Sequence, residues 1–304
     1  MGRKVDLEQY MAEATEYPSK VIAVAAAEDE EVIDAVIKAI EKKIASFRLF
    51  GNEEKIHLLL SKKNISFGKG HDIEVVGTSS EKEAAQKAVQ SVSNGESAVL
   101  MKGVVPTSVI LKEILNKEYG LRAGKVLSHV AVFQIPDYDR LIFVTDSAMN
   151  ISPDLNQKAE IIRNAVEVAI TLGVEKPKVA IVSAVETVNP KMIATVDAAL
   201  LTQMNKRGQI KNCIVDGPLG LDNAISKHAA ELKGIKSDVA GQADIIMVPT
   251  IEVGNVLYKS LMYFSKAKVG ALIMGAKAPI VLTSRADDAQ SKLYSLALAV
   301  RSIS

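Results

Sequence analysis

The sequence predicts an α/β fold, with two α/β domains, mostly parallel sheets and a cleft between the domains. Three observations favour this class. Short apolar runs typical of buried strands alternate with segments of helical apolar spacing, which indicates βαβ units. Two such series of about equal length meet near residue 137, where two close apolar runs flank a turn-like segment. The 304 residues are enough for two domains with substantial cores.

Each element of the first series is predicted from the spacing of its apolar residues. A helix shows them at i, i+3 and i+4, and a strand shows them as a short run rich in β-branched residues. Ser80-x-x-Glu83 opens one helix as a capping box, and Asn94-Gly95 ends that helix. The predicted elements are, in chain order, a helix at 6–15, a strand at 21–27, a helix from 28 to 47, strands at 56–60 and 73–76, a helix at 80–94, a strand at 98–101 and a helix at 108–115.

The second series follows a predicted β-hairpin, whose strands at 130–134 and 141–144 flank the turn-like segment 135–139. Ser152-Pro153-Asp154 is typical of a helix start. The later predicted elements are a helix ending at 173, a strand at 179–182, a helix from 189 with residues 192, 193, 196 and 200 inward, strands at 213–215 and 245–248, a helix at 252–264, strands at 269–274 and 280–282, and a helix at 286–303.

The final helix is predicted to return to the first domain, because a turn at residues 277–279 brings the last two strands back alongside each other. We therefore expect one domain to comprise residues 1–137 with 286–304, and the other to comprise residues 138–285.

The composition argues against several classes of protein. The chain is 48% hydrophobic and 24% charged, which is ordinary for a folded soluble protein. Its net charge of +1 provides no general field for nucleic acid, and no early apolar run is long enough for a secretory segment or a membrane span. The single Cys213 excludes an internal disulfide. We expect a cytoplasmic protein that binds neither nucleic acid nor membrane.

Familiar nucleotide and zinc motifs are absent from the sequence. There is no G-x-x-x-x-G-K-[ST], G-x-G-x-x-G, H-E-x-x-H or paired C-x-x-C. The histidines have no metal-ligand spacing and are expected to be core or surface residues, and Cys213 is expected to be an inert core residue. The four histidines are His57, His71, His129 and His228.

The segment from Pro279 to Asp288 is the first candidate site. Ser284 and Arg285 follow a predicted strand and precede a predicted helix, the position where ligands bind in open α/β sheets. Helix-start N–H groups and a guanidinium together suit a phosphate. The alternative is a capping box formed by Ser284 and Asp287, which explains the presence of both residues without a catalytic role. Arg285 favours the phosphate, because a cation in the first helical turn opposes the helix dipole unless an anion compensates it.

A second group of candidates lies in the other predicted domain. Asn255 and Lys259 are four residues apart and share one side of a predicted helix, opposite an apolar side, although a solvated helix side is the simpler explanation. Gly254 in the first turn indicates that something approaches the backbone closely. Asp216 stands at the predicted end of a strand, where it is either a ligand-facing carboxylate or part of a turn in Asp216-Gly217-Pro218.

Four sequence blocks resemble the phosphate acetyl/butyryltransferase family. They are Thr145-Asp146-Ser147-Ala148-Met149-Asn150, Asp216-Gly217-Pro218-Leu219, Gly254-Asn255-Val256-Leu257-Tyr258-Lys259 and Leu282-Thr283-Ser284-Arg285-Ala286-Asp287. The resemblance runs from about Lys102 to the end of the chain. The length, the Met101-Lys102-Gly103 block and the last block are closer to the butyryltransferase branch than to the acetyltransferase branch.

The resemblance implies reversible transfer of a short acyl group, butyryl or branched-chain, between CoA and inorganic phosphate, giving acyl phosphate and CoA. CoA and phosphate are the substrates, with no further cofactor or metal. It also implies two α/β domains with the active site in the cleft between them, and a homodimer or a higher homo-oligomer. Carried over from relatives, Arg285 holds the phosphate or acyl phosphate, and Ser284 hydrogen-bonds the thiol or the tetrahedral oxyanion.

One departure from the family pattern concerns proton transfer with the thiol. The acetyl branch carries a catalytic carboxylate seven positions after its serine, where this chain has Ser291. Asp287 and Asp288 are the candidates to replace it, and Asp287 is equally explained as a capping residue. Lys102, Lys259 and Lys277 are candidates for the phosphates of CoA or substrate, and each is equally explained as a surface lysine.

Three other functions remain open from the sequence. One is phosphate acetyltransferase. Another is a decarboxylating dehydrogenase with the two-domain architecture of isocitrate or isopropylmalate dehydrogenases, although Asp146, Asp216 and Asp244 are too dispersed to suggest its metal cluster. The last is a non-catalytic acyl-CoA binder.

Overall fold

The protein forms two compact units. The structure, a computed structural model, describes residues 6–16, 19–68, 70–282 and 288–303. One unit, here the terminal unit, comprises Leu7–Lys125 and Gly270–Ser304. The other, the central unit, contains Val126–Val269. The elements are, in chain order, α1 Leu7–Ala14, β1 Lys20–Ala25, α2 Glu30–Glu41, β2 Ala45–Gly51, α3 Glu53–Lys62, β3 Ile73–Gly77, α4 Glu81–Ser93, β4 Val99–Lys102, α5 Thr107–Ile114, β5 Ser128–Gln134, β6 Leu141–Thr145, α6 Leu155–Thr171, β7 Lys178–Val182, α7 Ile193–Lys206, β8 Ile214–Leu219, α8 Leu221–Ile225, α9 Lys227–Leu232, β9 Ile245–Met247, α10 Ile251–Tyr263, β10 Lys268–Met274, β11 Ile280–Val281 and α11 Ala289–Arg301.

The strands of both units are mostly parallel. In the terminal unit the order is β3-β2-β1-β4-β11-β10, with β10 antiparallel to β11 and the other pairs parallel. In the central unit the order is β5-β6-β9-β7-β8, with β5 antiparallel to β6 and the rest parallel. The predicted α/β class is confirmed. Because parallel strands end at one edge, each unit gathers the loops that follow its strands along that edge.

The units divide the chain earlier than the predicted boundaries after residues 137 and 285. The strands β5 and β6 pair as the predicted hairpin, so the division falls before this hairpin at residue 126. β10 pairs with β11. It also contacts α11, because the Ala271 N–H of β10 donates to Ser295 Oγ of α11 at 2.9 Å. The last helix belongs to the terminal unit and packs against α1 and α2.

Two predicted elements of the terminal unit are wrong. The helix predicted to continue to Phe47 ends at Glu41, and Phe47 lies in β2 between β1 and β3. Apolar residues at helical spacing continue from α2 into β2, but backbone pairing with β1 and β3 makes residues 45–51 a strand. The strand predicted at 56–60 is part of α3, because only Ile56 and Leu60 are buried, four residues apart, while Leu58 is 57% exposed.

The inward side predicted for α7 is also wrong. Ile193 is 68% exposed and Leu200 is 45% exposed. Asp197 is buried instead, and its Oδ2 lies 2.5 Å from Nζ of the buried Lys158 on α6. Apolar spacing cannot reveal this arrangement, since a buried ion pair turns polar residues toward the core.

The start of α6 follows the predicted capping pattern. Asp154 Oδ1 accepts from the Gln157 N–H at 2.8 Å, and the Gln157 side chain accepts from the Asp154 N–H at 2.9 Å. We expect Asp154→Ala to lower the free energy of unfolding by about 1 kcal/mol, measured by urea denaturation, because a helix N–H loses its partner. Asp154→Asn retains the cap and should cost much less. If both variants lost the same free energy of unfolding, the effect would come from the lost charge and not from the cap.

Candidate active site

The predicted catalytic segment comes after β11 in the chain, and β11 pairs in parallel with β4. Ser284, Arg285 and Asp287 themselves lie outside the described residues. The helix after them, α11, has Asp288 as its N-cap, and the Asp288 side chain accepts from the Ser291 N–H at 2.7 Å. The described helix begins at Ala289, and Asp288 is its N-cap.

Lys102 ends β4 at the edge where the parallel strands of the terminal unit end, and it is buried, with only 6% of its surface exposed. Its ammonium donates to the carbonyl of Gly103 at 2.8 Å. A buried ammonium needs such partners, so Lys102 is not an ordinary surface lysine. The chain after β4 is fixed to the chain after β1, because the Gly103 N–H donates to the Ala25 carbonyl at 2.8 Å and the Val104 N–H donates to the Ala26 carbonyl at 2.9 Å.

Lys277 is not brought together with Lys102. It is exposed and lies in the turn between β10 and β11, before the first residue of β11. Because β11 runs parallel to β4, this turn lies at the edge where the parallel strands begin, and Lys102 lies at the edge where they end.

The central unit carries a buried polar cluster directly after β6. Asp146 accepts from the N–H groups of Ala148 and Met149, both at 2.9 Å, and from the Asn150 amide at 2.6 Å. Ser147 Oγ lies 2.9 Å from His129 Nδ1. Asp146 and Ser147 are both buried. In the sequence this block stands out only by its family resemblance, although a polar run directly after a buried strand is itself a signal of a site.

The helix α10 packs directly on this cluster. Gly254 is buried, and a Cβ there would lie 2.8 Å from Ser147 Cα and still closer to the Asp146 carbonyl oxygen. The close approach predicted for Gly254 is therefore made by the chain's own backbone. Asn255 Nδ2 donates to the Ser147 carbonyl at 3.5 Å. Asn255 and Lys259 are both exposed, as expected for neighbours on one side of a helix.

His129 is a buried core histidine at the start of β5. The register that pairs Ala131 with Val144 places it opposite Asp146, at the end of β6. Burial lowers the pKa of His129, and the nearby Asp146 carboxylate opposes that shift. Since burial is the larger cause, the imidazole is neutral at pH 7.

Asp216 lies inside β8, not at its end, because β8 continues to Leu219. The predicted turn at Asp216-Gly217-Pro218 is therefore wrong. Asp216 is half-buried, and its Oδ1 accepts from the Gly217 N–H at 2.9 Å. Cys213, just before this strand, is buried, and burial raises the pKa of its thiol to about 11, as expected for an inert core cysteine.

Within the described ranges, no group of three or more His, Cys, Asp and Glu side chains could hold a metal ion. The same ranges contain no helix with the length and apolar character needed to cross a bilayer.

Comparison with known proteins identifies the family. The family described as phosphate acetyl/butaryl transferase matches residues 63–300. The probable phosphate butyryltransferase of Bacillus subtilis (strain 168) is 58% identical over 294 residues, which cover 97% of each chain. The chain belongs to the phosphate acetyl/butaryl transferase family. The family match includes every residue predicted for the site.

Other members of the phosphate acetyl/butaryl transferase family are similar over most of their length. The phosphate acetyltransferase of Thermotoga maritima is 47% identical, covering 92% of this chain and 94% of the relative. The crystal structure of a branched-chain phosphotransacylase from Enterococcus faecalis V583 is 38% identical with a TM-score of 0.82, covering 93% of this chain and 99% of that chain.

Proposed function

We propose that this protein is a phosphate acyltransferase that reversibly transfers a short acyl group between CoA and inorganic phosphate, giving acyl phosphate and CoA. The proposed acyl group is butyryl or a branched-chain group. The observation that carries the proposal is the 58% identity to a probable phosphate butyryltransferase over 97% of each chain. The similarity to a branched-chain phosphotransacylase structure supports it.

The proposed reaction joins two anions, so a cation must neutralise phosphate as it approaches the thioester carbonyl. Arg285 takes this role in the proposal, with two donors in the geometry that a phosphate accepts. Ser284 hydrogen-bonds the thiol or the tetrahedral oxyanion. Asp287 exchanges the thiol proton in the proposal, and Asp288 caps α11. CoA and phosphate are the substrates, and the proposal needs no cofactor or metal.

The remaining predicted site residues are proposed to bind substrate. Lys102 is buried at the end of β4, which pairs in parallel with β11, the strand that precedes Arg285 in the chain. In the central unit, Asn255 and Lys259 present an amide and an ammonium beside the polar cluster after β6. Asp216, which lies within β8, and Lys277, which lies at the opposite edge from Lys102, are also proposed to bind substrate.

An assay panel tests the function. Purified protein is incubated with phosphate and saturated acyl-CoA esters of two to five carbons, straight and branched, and free thiol is measured. We expect phosphate-dependent thiol release with the highest kcat/KM for butyryl or a branched ester. A maximum with acetyl-CoA would establish phosphate acetyltransferase instead, the activity named for the Thermotoga maritima relative. No release with any ester would refute the proposal.

The same panel separates the two other classes of function. Tight CoA binding without turnover, and without any effect of Arg285→Ala, would indicate an acyl-CoA binder. Metal-dependent reduction of NAD with a 2-hydroxy acid would indicate a decarboxylating dehydrogenase.

We also propose that the enzyme is cytoplasmic, binds neither nucleic acid nor membrane, and forms a homodimer or higher homo-oligomer. The single buried cysteine supports a reducing compartment such as the cytoplasm. The net charge of +1 argues against binding to nucleic acid or to a charged membrane surface. For the third, the apolar side predicted for α10 is exposed in the chain, and exposed apolar patches of this kind mark protein interfaces. Val256 is 65% exposed and Phe264, just after the helix, is 88% exposed.

The oligomer proposal predicts a change in molar mass. We expect light scattering to give at least twice the chain mass of 32.6 kDa, and Val256→Lys to shift the protein toward the monomer because a charge on this helix opposes association. Leu58→Lys is the matched control, since Leu58 is also exposed but lies on α3 of the terminal unit. A monomeric wild type would contradict the proposal.

A further inference from the structure

His129 is joined to two parts of the central unit that carry proposed substrate-binding residues. Its Nδ1 lies 2.9 Å from Ser147 Oγ, and its backbone carbonyl accepts from Thr145 Oγ1 at 2.8 Å. Its ring also lies beside the ring of Tyr258 on α10, with centroids 5.9 Å apart. One buried side chain therefore contacts both the loop after β6 and the helix that follows β9.

The contacts continue from His129 to the exposed side of α10. Ser147, which pairs with His129, also offers its carbonyl to the amide of Asn255 at 3.5 Å. Gly254 allows α10 to lie directly against the backbone of Asp146 and Ser147. The position of Asn255 is thus set by the same loop that His129 holds, and neither His129 nor Ser147 needs to reach solvent.

The chemical state of His129 suits this role. Because burial keeps the imidazole neutral, it carries one N–H and one acceptor nitrogen, and its Nδ1 and the Ser147 hydroxyl satisfy each other inside the unit. Removing the imidazole leaves the Ser147 hydroxyl buried without this partner, which is the costly way to break a hydrogen bond.

We propose that His129 is a positioning residue for the phosphate acyltransferase, fixing Ser147 and α10 so that Asn255 and Lys259 meet the CoA substrate. The inference rests on the proposed function for its link to turnover. It assigns His129 no contact with substrate, so the expected effect is on substrate binding and not on the chemical step.

Three variants separate the hydrogen bond from ring packing. His129→Phe keeps a ring beside Tyr258 but cannot bond Ser147, and His129→Asn places an amide near the Nδ1 position. Phe133→Leu is the control for packing, because Phe133 lies on the same strand and contacts Tyr258 edge-on with centroids 5.2 Å apart. Ser147→Ala removes the other partner and allows a double-mutant cycle with His129→Phe.

We expect His129→Phe to raise KM for acyl-CoA roughly tenfold with kcat changed less than about threefold, because a displaced α10 would weaken the contacts of Asn255 and Lys259 with CoA while the reacting groups stay in place. His129→Asn should restore most of the affinity, and Phe133→Leu should change thermal stability without changing KM. Adding Ser147→Ala to His129→Phe should raise KM for acyl-CoA little further. An unchanged KM in His129→Phe, or a tenfold KM effect in Phe133→Leu, would overturn the inference.

Calorimetric titration with CoA keeps this test separate from the test of function. If wild type turns over no acyl-CoA ester, the proposed function fails. The affinity for CoA still decides the inference, which requires weaker binding by His129→Phe and recovery in His129→Asn. Equal CoA affinity in wild type and His129→Phe, or no CoA binding by wild type, would overturn it.

Discussion

Arg285→Ala should lower kcat/KM for the acyl-CoA and phosphate reaction by roughly 10²–10³, the usual effect of losing one group that stabilises charge in a transition state. Phosphate and the thioester oxygen both carry negative charge as they react, so the guanidinium is needed most at that point. The measurement is phosphate-dependent thiol release with butyryl-CoA across a range of phosphate concentrations. We expect the KM for phosphate to rise together with a fall in kcat.

Two controls make the Arg285 result specific. Arg285→Lys keeps the charge but loses the planar pair of donors, and it should recover only part of the activity. Arg207→Ala removes an exposed arginine at the end of α7 and should leave kcat/KM unchanged. A loss of less than about threefold in Arg285→Ala, with thermal stability preserved, would contradict the assigned role, since a catalytic donor typically contributes far more.

Much of the fold could be predicted because local pattern and tertiary contacts agree over most of the chain. The capped helices α4 and α6 and the hairpin of β5 and β6 follow their sequence patterns. The elements β2 and α3 show where this agreement ends, because part of β2 is predicted as helix and part of α3 is predicted as strand. Residues 45–51 continue a helical apolar spacing, and only pairing with strands on both sides makes them a strand. No local property of a segment contains that information.

The candidate site could be predicted in part for a similar reason. Strand ends and glycines are visible in a sequence, so the sequence predicts Lys102 and Gly254, and the structure places each against backbone at a strand end. What approaches Gly254 could not be predicted, because Asp146 lies more than a hundred residues earlier. The pairing of His129 with Ser147 likewise depends on the register of β5 and β6, which sequence spacing does not determine.

The most severe backbone constraint near the proposed site is at Gly103, and we expect Gly103→Ala to destabilise the protein by on the order of 4 kcal/mol. A Cβ at this position would lie 2.7 Å from the Ala26 carbonyl carbon and 2.8 Å from the Ala25 carbonyl oxygen, and closer still to the Ala26 carbonyl oxygen. These atoms are backbone, and the carbonyl oxygens of Ala25 and Ala26 accept from Gly103 and Val104. Relief of the collision would therefore break hydrogen bonds between the ends of β1 and β4.

The change at Gly103 should appear as a fall in melting temperature of about 8 °C or more, or as loss of soluble protein, since that energy is a large share of ordinary stability. Gly95→Ala is the matched control in the same unit, because Gly95 has φ of +78° but a Cβ there meets nothing within 4 Å. That variant carries only the backbone strain of the left-handed region, about 1 kcal/mol. If the two variants melted at the same temperature, the close approach of β1 and β4 would not be the constraint that requires glycine at position 103. In a Gly103→Ala protein that stays folded, Lys102 would be displaced with its neighbour, so the KM for acyl-CoA should rise while Gly95→Ala leaves it unchanged.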